Sequence, residues 1–295
     1  MIIKPIRFIS LLTILIFSSC NLGVDFGGFF SSYSNPDSRF DEKDELSMHS
    51  DPQPLQTIPL INGKLSYSFS IISDIHVKDN KAVHLEQFVQ DLLIPEDRFI
   101  LDCGDSSQSG TAEQLETYKT ILNISGIPWF GAIGNHDLYF EGWKNYRKII
   151  GRSIYSFQVG SPGYPGSLFA IVLDSANGTL GGKQLNWLKE TLKMQKGLWD
   201  HLIVITHSQF FSTGLNTVVQ FTDTNEIYAL MHLFRTYGVD YVFMGHNHKW
   251  DKRTINGVNY ISLDPLIKGN SEDSYIRVSV EGSDISFERI MIPPI

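Results

Sequence analysis

Cysteine is scarce in this chain of 295 residues, which contains only Cys20 and Cys103. With so few thiols the chain has no disulfide framework, and no thiolate cluster is present that would favour a structural zinc ion. Cys103 lies inside an apolar stretch, where a single buried thiol is typical of core packing. Disulfide-rich and zinc-finger scaffolds are therefore excluded.

Positive charge is also in short supply. The chain has 24 Lys and Arg against 32 Asp and Glu, for a formal net charge of −8, which does not favour a broad grip on nucleic acid or on an anionic membrane. A nuclease would need a basic groove, and the basic residues do not cluster near any polar motif. The apolar content of 42% is that of a globular protein with a substantial core.

The apolar run Phe8–Phe17 is too short to span a bilayer comfortably. Basic residues precede it and small residues follow, so residues 1–20 have the order of a secretory signal. Residues 17–20 resemble a bacterial lipoprotein signal, whose processing leaves a lipid on Cys20, although Leu is usual where Phe17 stands. The alternatives are an ordinary cleaved signal and a short helical anchor. We expect an extracytoplasmic lipoprotein anchored to a membrane or, alternatively, a secreted protein.

Residues 21–64 are rich in Gly, Ser, Asn, Asp and Pro, and they include the charged run Arg39–Glu45, which we expect to stay solvated. Such a segment buries too little apolar surface to fold alone. We predict a flexible tether over 21–64 and one domain over 65–295.

Strand-like and helix-like patterns alternate from Leu65 to about residue 250, and strand-like runs with Asn-Gly and Glu-Gly turns follow. This order predicts one α/β domain with a β-rich C-terminal end. Five times an apolar strand ends and acidic, amide or imidazole groups follow at once. Ligands bind beyond the carboxyl ends of strands in open α/β sheets, so we expect one site there. The five motifs are Asp74-x-His76, Gly104-Asp105, Gly134-Asn-His-Asp137, His207 and Gly245-His-Asn-His248.

Carboxylate oxygens and imidazole nitrogens of this kind suit Mn, Fe, Zn or Co. Alternate side chains of an extended strand share a face, so Asp74 and His76 can share an ion. The spacing of His246 and His248 places two imidazoles on one side of a loop. An imidazole such as that of His136 can instead move a proton near neutral pH.

The order and chemistry of the five motifs, over residues 70–250, are similar to those of the calcineurin-like metallophosphoesterases. The resemblance implies a four-layer α/β-β/α sandwich of two mixed sheets flanked by helices. It also implies hydrolysis of a phosphomonoester or phosphodiester by a hydroxide that bridges two divalent ions (Mn, Fe or Zn). Asp105 would bridge the ions, and the remaining ligands would be Asp74, His76 and His248 for one and Asn135, His207 and His246 for the other. His136 would stabilise the phosphoryl oxygens or protonate the leaving group, and Asp137 would orient His136.

Two divalent ions bound by the carboxylates of Asp74 and Asp105 alone would leave a local charge of about +2, which attracts phosphate. The chain lacks the tyrosinate ligand of purple acid phosphatases three residues after Asp105. It also lacks the Asp-Arg-Gly signature of Ser/Thr protein phosphatases, so a phosphoprotein substrate is disfavoured. The sequence specifies neither the ester nor the oligomeric state.

The alternative from another class is a non-catalytic surface lipoprotein that retains the metal site and binds a partner. The completeness of the ligand set, with His136 retained, argues against it. Several other residues receive structural interpretations. Asp102 and Asp174 are read as capping or supporting residues, and Gln184–Leu188 resembles a structural helix of the same family. Four histidines (His49, His84, His201 and His232) are read as structural, and Tyr139, Phe140 and Phe210 are predicted to line a substrate pocket.

Overall fold

The computed structural model describes residues 35–42, 58, 60–211, 221–267 and 272–294. The predicted signal with Cys20, His49 and most of the predicted tether lie outside these ranges. Within them, no helix combines the length and the apolar character that crossing a bilayer requires.

Helices and strands alternate through the first two thirds of the domain, as predicted, and strands dominate its end. The described helices are α1 (Pro36–Asp41), α2 (Val83–Gln87, continued by a π-helical turn, Phe88–Leu92), α3 (Ala112–Ile124), α4 (Gly142–Ile149), α5 (Gly181–Gln195) and α6 (Thr224–Tyr237). The described strands are β1 (Leu60–Ile61), β2 (Lys64–Ile72), β3 (Asp97–Asp102), β4 (Trp129–Gly131), β5 (Tyr155–Val159), β6 (Leu168–Val172), β7 (His201–Thr206), β8 (Tyr241–Met244), β9 (Asp251–Ile255), β10 (Val258–Ser262), β11 (Ser274–Glu281) and β12 (Asp284–Met291).

The strands form two mixed sheets. The first has the order β12-β11-β2-β3-β4, with β1 paired to β2, and the second has the order β5-β6-β7-β8-β10-β9. Strands β2, β3 and β4 are parallel to one another, as are β6, β7, β8 and β10, while antiparallel strands lie at the edges. Parallel strands deliver their carboxyl ends to one edge of a sheet, which is where the site forms.

Alternating side chains divide the interior into three apolar clusters. In β3, Phe99 and Leu101 face the core between the two sheets, whereas Ile100 faces the helices outside the first sheet. In β7, Ile203 faces the central core and Val204 faces α5 and α6 outside the second sheet. Because successive residues of a strand point to opposite faces, each sheet is covered on both sides. The predicted four-layer α/β-β/α sandwich is confirmed.

Helix α3 shows how local sequence places an element. The hydroxyl of Thr111 accepts a hydrogen bond from the backbone of Gln114 and caps the helix. Leu115, Tyr118 and Leu122 recur at helical spacing and are buried against the first sheet. Capping and periodicity thus act together to form the helix over Ala112–Ile124.

Helix α1 departs from the tether predicted for residues 21–64. Arg39 has no exposed surface, and its guanidinium pairs with the equally buried carboxylate of Asp174. The expectation that Arg39 stays solvated was wrong, because the short helix turns this residue toward the domain. Asp174 does accept a long hydrogen bond of 3.4 Å from Ala176, as a capping residue would, but its main partner is the arginine.

Candidate metal centre

The five motifs meet at one edge of the sandwich. The last residues of strands β2, β3, β4, β7 and β8 lie one to three positions before the first residue of a motif. All seven predicted metal ligands are brought together there, and five of them are buried while His246 and His248 are partly exposed.

Two groups of donor atoms form around a shared carboxylate. The donors of Asp74, His76 and His248 lie within 4.8 Å of one another, as do those of Asp105, His207 and His246. We call these the first and second clusters. The same criterion also groups Asp105 with His76 and His136, so Asp105 lies between the two.

Distances within the first cluster are short. His248 Nε2 lies 3.3 Å from Asp74 Oδ1, and His76 Nε2 lies 3.1 Å from His248 Nε2.

The second cluster is equally close. His207 Nε2 lies 3.3 Å from Asp105 Oδ2, 3.0 Å from His246 Nδ1 and 3.0 Å from Asn135 Oδ1.

This donor set fits two divalent cations. In each cluster two imidazole nitrogens face one another at about hydrogen-bond distance, beside a buried carboxylate. Without a cation, one imidazole of each pair must carry a proton toward the other, whereas a cation between them would accept the lone pairs of both. His76 Nδ1 is a buried nitrogen without a hydrogen-bond partner in the described part of the chain.

Backbone strain marks the same residues. Ten non-glycine residues of the described ranges have a positive φ, and five of them are predicted ligands. These five are Asp74, His76, Asp105, His246 and His248, with φ between 47° and 75°. Such strain persists only where the surroundings enforce it, and it is concentrated at functional sites. The Asp74-x-His76 pair is therefore not brought together by the alternation of an extended strand. Strand β2 ends at Ile72, and left-handed turns aim both side chains inward.

The glycines of two motifs permit these close approaches. A Cβ on Gly134 would overlap the carboxylate of Asp105, and one on Gly245 would overlap the hydroxyl of Ser73. Side chains at these positions would displace ligand carboxylates or their partners, so the glycines are required by packing.

His207 is held from two sides. Its Nδ1 lies 2.9 Å from the carbonyl oxygen of Cys103, so Nδ1–H donates there and Nε2 faces Asp105. Its backbone N–H donates to Ser175 Oγ at 3.2 Å, and the N–H of Ser208 donates to the same oxygen at 2.8 Å. Ser175 was not predicted from the sequence, where its only signal is its place three residues after β6 ends.

Asn135 is oriented by a neighbouring tyrosine. Its Nδ2 donates to Tyr139 Oη at 3.2 Å, which turns Oδ1 toward His207. Phe210 is only 4% exposed and packs in the apolar cluster outside the second sheet, so the prediction that it lines a substrate pocket was wrong. Tyr139 is 2% exposed but its ring contacts His136, so its place in the pocket stays a prediction. Phe140 is 53% exposed with a φ of 56°, and it remains a candidate for the pocket wall.

His136 is fixed by backbone groups. Its Nδ1 lies 2.8 Å from the carbonyl oxygen of Gln108, and its backbone N–H donates to Asp105 Oδ1 at 2.9 Å. Its ring meets the ring of His76 edge-on, with centroids 4.5 Å apart. Nδ1–H donating to a carbonyl leaves Nε2 as the atom available to a substrate.

Asp137 joins two loops. Its carboxylate accepts hydrogen bonds from the backbone N–H of Gly134 at 3.0 Å and from the backbone and hydroxyl of Ser107 at 2.8 and 2.7 Å. These contacts tie the Asp105 loop to the His136 loop. They differ from the direct orientation of His136 that the family resemblance implied, and a catalytic role for Asp137 stays a prediction.

Asp102 supports the same loop from beneath. It accepts hydrogen bonds from the Gly104 backbone, the Ser106 hydroxyl and the Tyr118 hydroxyl at 3.0, 3.0 and 2.8 Å. Burial raises the pKa of Asp102 well above its usual range. The predicted supporting role agrees with these contacts.

Charge is unevenly distributed among the donors. Burial alone would raise the pKa of Asp74, but the nearby His248 outweighs it and lowers that pKa to about 2. Burial acts against the charged form of His207 too, yet Asp105 beside it raises the His207 pKa to about 9. Burial, together with the neighbouring His207, lowers the pKa of His246 to about 4. Near neutral pH the site thus offers an ionised Asp74 and a neutral His246, both ready to bind a cation.

A model of the calcineurin-like phosphoesterase family matches residues 67–250. The chain belongs to this family. The predicted resemblance is thereby confirmed, and with it a phosphoester hydrolase of a family that uses a dinuclear divalent metal centre.

Among characterised relatives, a 3′,5′-cyclic-nucleotide phosphodiesterase of Nostoc sp. is 26% identical over 221 residues, which cover 68% of this chain and 79% of that protein. A dimetal phosphatase from Danio rerio has a similar structure, with a TM-score of 0.58 and 14% identity over 77% of this chain and 99% of that one. GAP50, the anchor in the inner membrane complex of Plasmodium, has a TM-score of 0.55 and 16% identity over 77% of this chain and 89% of that one. At such identities, the two structures support the fold alone.

Proposed function

We propose that this member of the family is an extracytoplasmic phosphodiesterase, and that 3′,5′-cyclic nucleotides are the first substrate class to test. Metal-dependent hydrolysis of a phosphoester follows from the family and the donor clusters. The choice of a diester and the placement outside the cytoplasm are the proposal.

The observation that supports a two-metal mechanism is the position of Asp105. It belongs to the second cluster, and it also groups with His76 of the first cluster and with His136. Asp74, His76 and His248 would hold one ion and Asn135, His207 and His246 the other, with Asp105 between them. Two such ions would supply a hydroxide nucleophile near neutral pH and positive charge for the phosphoryl oxygens.

His136 is suited to hold a proton at Nε2. The Gln108 carbonyl fixes Nδ1–H at 2.8 Å, so the ring presents Nε2 to the space beside His76 and Asp105. An alkoxide that leaves a phosphodiester needs a proton, and an imidazole can supply it near neutral pH. Alternatively, the same Nε2–H stabilises a phosphoryl oxygen by donating a hydrogen bond.

The preference for a diester rests on the relative from Nostoc, whose activity is on 3′,5′-cyclic nucleotides. The two carboxylates offered to two divalent ions leave excess positive charge for one phosphate group. Phe140 follows His136 by four residues and is 53% exposed, and we propose that its ring contacts an aromatic part of such a substrate.

Placement outside the cytoplasm is supported by the order of residues 1–20 and by Cys20. The basic start, the apolar run and the small residues before the cysteine are the parts of a lipoprotein signal. We propose a lipid anchor on Cys20. Labelling cells with a radioactive or clickable fatty acid would test this, since a Cys20→Ser variant should lose the label.

The function is tested with metal-stripped protein reloaded with Mn²⁺, Zn²⁺ or Fe²⁺. A chromogenic phosphomonoester, a chromogenic phosphodiester and 3′,5′-cyclic AMP are assayed side by side, with Asp105→Asn as the control. We expect metal-dependent turnover, highest on the diesters and lost in the control, and the most active ion identifies the preferred metal. Turnover of the monoester alone would contradict the proposed substrate class.

The second candidate is a binding protein that keeps the metal site. GAP50, which has a similar fold, is described as an anchor, so this fold is compatible with a binding role. Two bound metal ions per chain without turnover on any of these esters or on a panel of nucleotides would favour this candidate.

A further inference from the structure

Residues 35–42, which include α1, precede the residues matched by the family model. They provide hydrogen-bond partners to the domain at two places. The first is the carboxylate of Asp174, which follows β6 and is fully buried. Arg39 of α1 meets it with two nearly parallel hydrogen bonds, Nε to Oδ2 at 2.5 Å and Nη2 to Oδ1 at 2.7 Å. The guanidinium also donates to Asn177 Oδ1 at 2.7 Å. A buried carboxylate deprived of such a partner is strongly destabilising.

The second place is the start of α5. The N-cap residue of α5 is Leu180, and its apolar side chain cannot accept a hydrogen bond from the helix backbone. Asp37 of α1 provides the missing acceptor, because its Oδ1 takes a hydrogen bond from the Lys183 backbone at 2.8 Å. A Cβ on Gly181 would lie only 2.7 Å from that oxygen, so glycine here makes room for a cap from another segment. A carboxylate at a helix N-terminus also satisfies the helix dipole.

The other end of α1 contacts the opposite helical layer. Glu42, which follows α1, accepts hydrogen bonds from Trp143 Nε1 at 3.1 Å and from Arg147 Nη1 at 2.6 Å. Trp143 and Arg147 belong to α4, which covers the first sheet, whereas α5 covers the second. The segment 35–42 therefore joins the two outer layers of the sandwich.

The contact with Asp174 leads directly to the second cluster. Asp174 precedes Ser175, and Ser175 Oγ accepts the backbone N–H groups of His207 and Ser208. Movement of the turn at Asp174 would release these two N–H groups and change the position of the His207 ring. The path from Arg39 to His207 thus consists of one ion pair, one peptide bond and one hydrogen bond.

We propose that residues 35–42 are part of the catalytic unit, and that Arg39 is a positioning residue for His207. The unit accordingly begins before residue 65 and well before the family match at residue 67. The inference rests on the proposed function only for the role of His207 as a metal ligand. The contacts that connect Arg39 with His207 are independent of any activity.

The test compares three variants in the full chain. Arg39→Ala removes the guanidinium, and Arg39→Lys keeps the charge but cannot form the two-pronged contact. Lys183→Ala is the control. It removes an exposed ion pair between Lys183 of α5 and Asp41 of α1, and it leaves the hydrogen bond from the Lys183 backbone to Asp37. Metal content, metal affinity, kcat, KM and amide hydrogen exchange are measured for each.

For Arg39→Ala we expect at least tenfold weaker binding of one of the two metal equivalents. We also expect at least a tenfold lower kcat with KM within twofold, and at least tenfold faster exchange at the amides of His207 and Ser208. Lys183→Ala should stay within twofold on every measure. If Arg39→Ala does not fold, Arg39→Lys carries the test, with changes of at least threefold in the same directions.

A folded variant that binds both metals with unchanged affinity and protects the His207 amide would overturn the inference, even if its melting temperature falls. The exchange measurement needs neither metal nor substrate. Faster exchange in a chain that shows no turnover would therefore support the inference while contradicting the proposed function.

Discussion

The two halves of the metal centre are built in different ways. In the first cluster all three residues, Asp74, His76 and His248, have positive φ, and each lies in a short motif close to a strand end. In the second cluster, His207 has an ordinary backbone directly after β7. The carbonyl of Cys103 holds its ring, and the hydroxyl of Ser175 accepts its backbone N–H.

In the first cluster every ligand thus has a strained backbone, whereas the second cluster combines such strain at Asp105 and His246 with a histidine held by hydrogen bonds from distant parts of the chain. Backbone strain of this kind lies within a short motif, so the motif itself indicates the site in the sequence. Support from a remote residue has no local pattern, which explains why Ser175 and Arg39 were overlooked. The following experiments separate the two modes of construction, beginning with a residue that faces both clusters.

Replacing His136 should give the largest loss. We expect His136→Gln to lower kcat by about 10² to 10⁴-fold, the usual range for removal of a general acid. Both metal ions should remain bound, because the contact to Asp105 comes from the backbone N–H of residue 136. Steady-state kinetics with metal analysis checks this. Loss of a metal ion in the variant would show that His136 is a ligand.

Paired serine substitutions should affect one cluster each. Ser175→Ala removes the acceptor for the His207 backbone, and Ser73→Ala removes a donor to Asp74 Oδ2 at 2.5 Å. Loss of such supporting bonds typically weakens metal binding by about 10 to 100-fold. We expect the larger loss of metal affinity for Ser175→Ala. In the Ser73→Ala variant, both oxygens of Asp74 would still accept the backbone N–H of His246.

Metal titration of both variants provides the measurement, with Ser153→Ala as the matched control. Ser153 is also buried, but its hydroxyl has no hydrogen-bond partner within the described ranges, so its removal should be nearly neutral. Equal losses in the Ser73 and Ser175 variants would remove the proposed difference between the clusters.

Metal uptake should release a proton from the second cluster. The His207 pKa is raised from 6.5 to about 9 in the metal-free chain, so its ring is protonated at pH 7 and a metal ion must displace that proton. Apparent affinity should rise about tenfold per pH unit from pH 7 toward 9. Calorimetry in buffers with different ionisation heats counts the protons, and uptake without proton release would contradict the expectation.

The same pKa determines a stability effect in the metal-free chain. A histidine whose folded pKa is raised stabilises the fold fully below its unfolded pKa of 6.5, and this contribution is lost as the pH rises through about 9. Thermal melts of the metal-free chain between pH 6 and 9 should show a decline that is absent in His207→Gln.

The smallest effect is expected at Tyr139. Tyr139→Phe removes the acceptor that orients Asn135 at 3.2 Å, and one neutral hydrogen bond of about 1 kcal/mol corresponds to about a fivefold change. Affinity should fall at the second cluster alone, as followed by metal titration. A change at the first cluster of similar size would mean that Tyr139 acts more widely than through Asn135.

The fold could be predicted because several patterns in the sequence indicated the same arrangement of helices and strands. The alternating helix-like and strand-like patterns and the polar strand ends indicated the same α/β arrangement. The family resemblance implied the two sheets and the four layers. The predicted ligands gather at one place for the same reason, since parallel strands bring their carboxyl ends together. Their roles in holding metal ions stay predictions.

Two kinds of error had physical causes. Arg39 was read as solvated because its neighbours in sequence are charged, whereas the helix turns it toward a carboxylate that is 135 positions away. Phe210 was assigned to a pocket because it flanks a motif, although its ring packs in the apolar cluster outside the second sheet. Burial and long-range pairing are decided by tertiary structure, and no local pattern reports them.

If Cys20 carries the proposed lipid, the docking of α1 would set how far the domain can move from a membrane. A lipid on Cys20 would connect to the domain through residues 21–34 alone, since α1 is held against the fold from Asn35 onward. Fully extended, those residues reach about 50 Å, against about 150 Å for the whole segment 21–64. The metal centre would then act on esters found within a few tens of ångströms of the lipid surface.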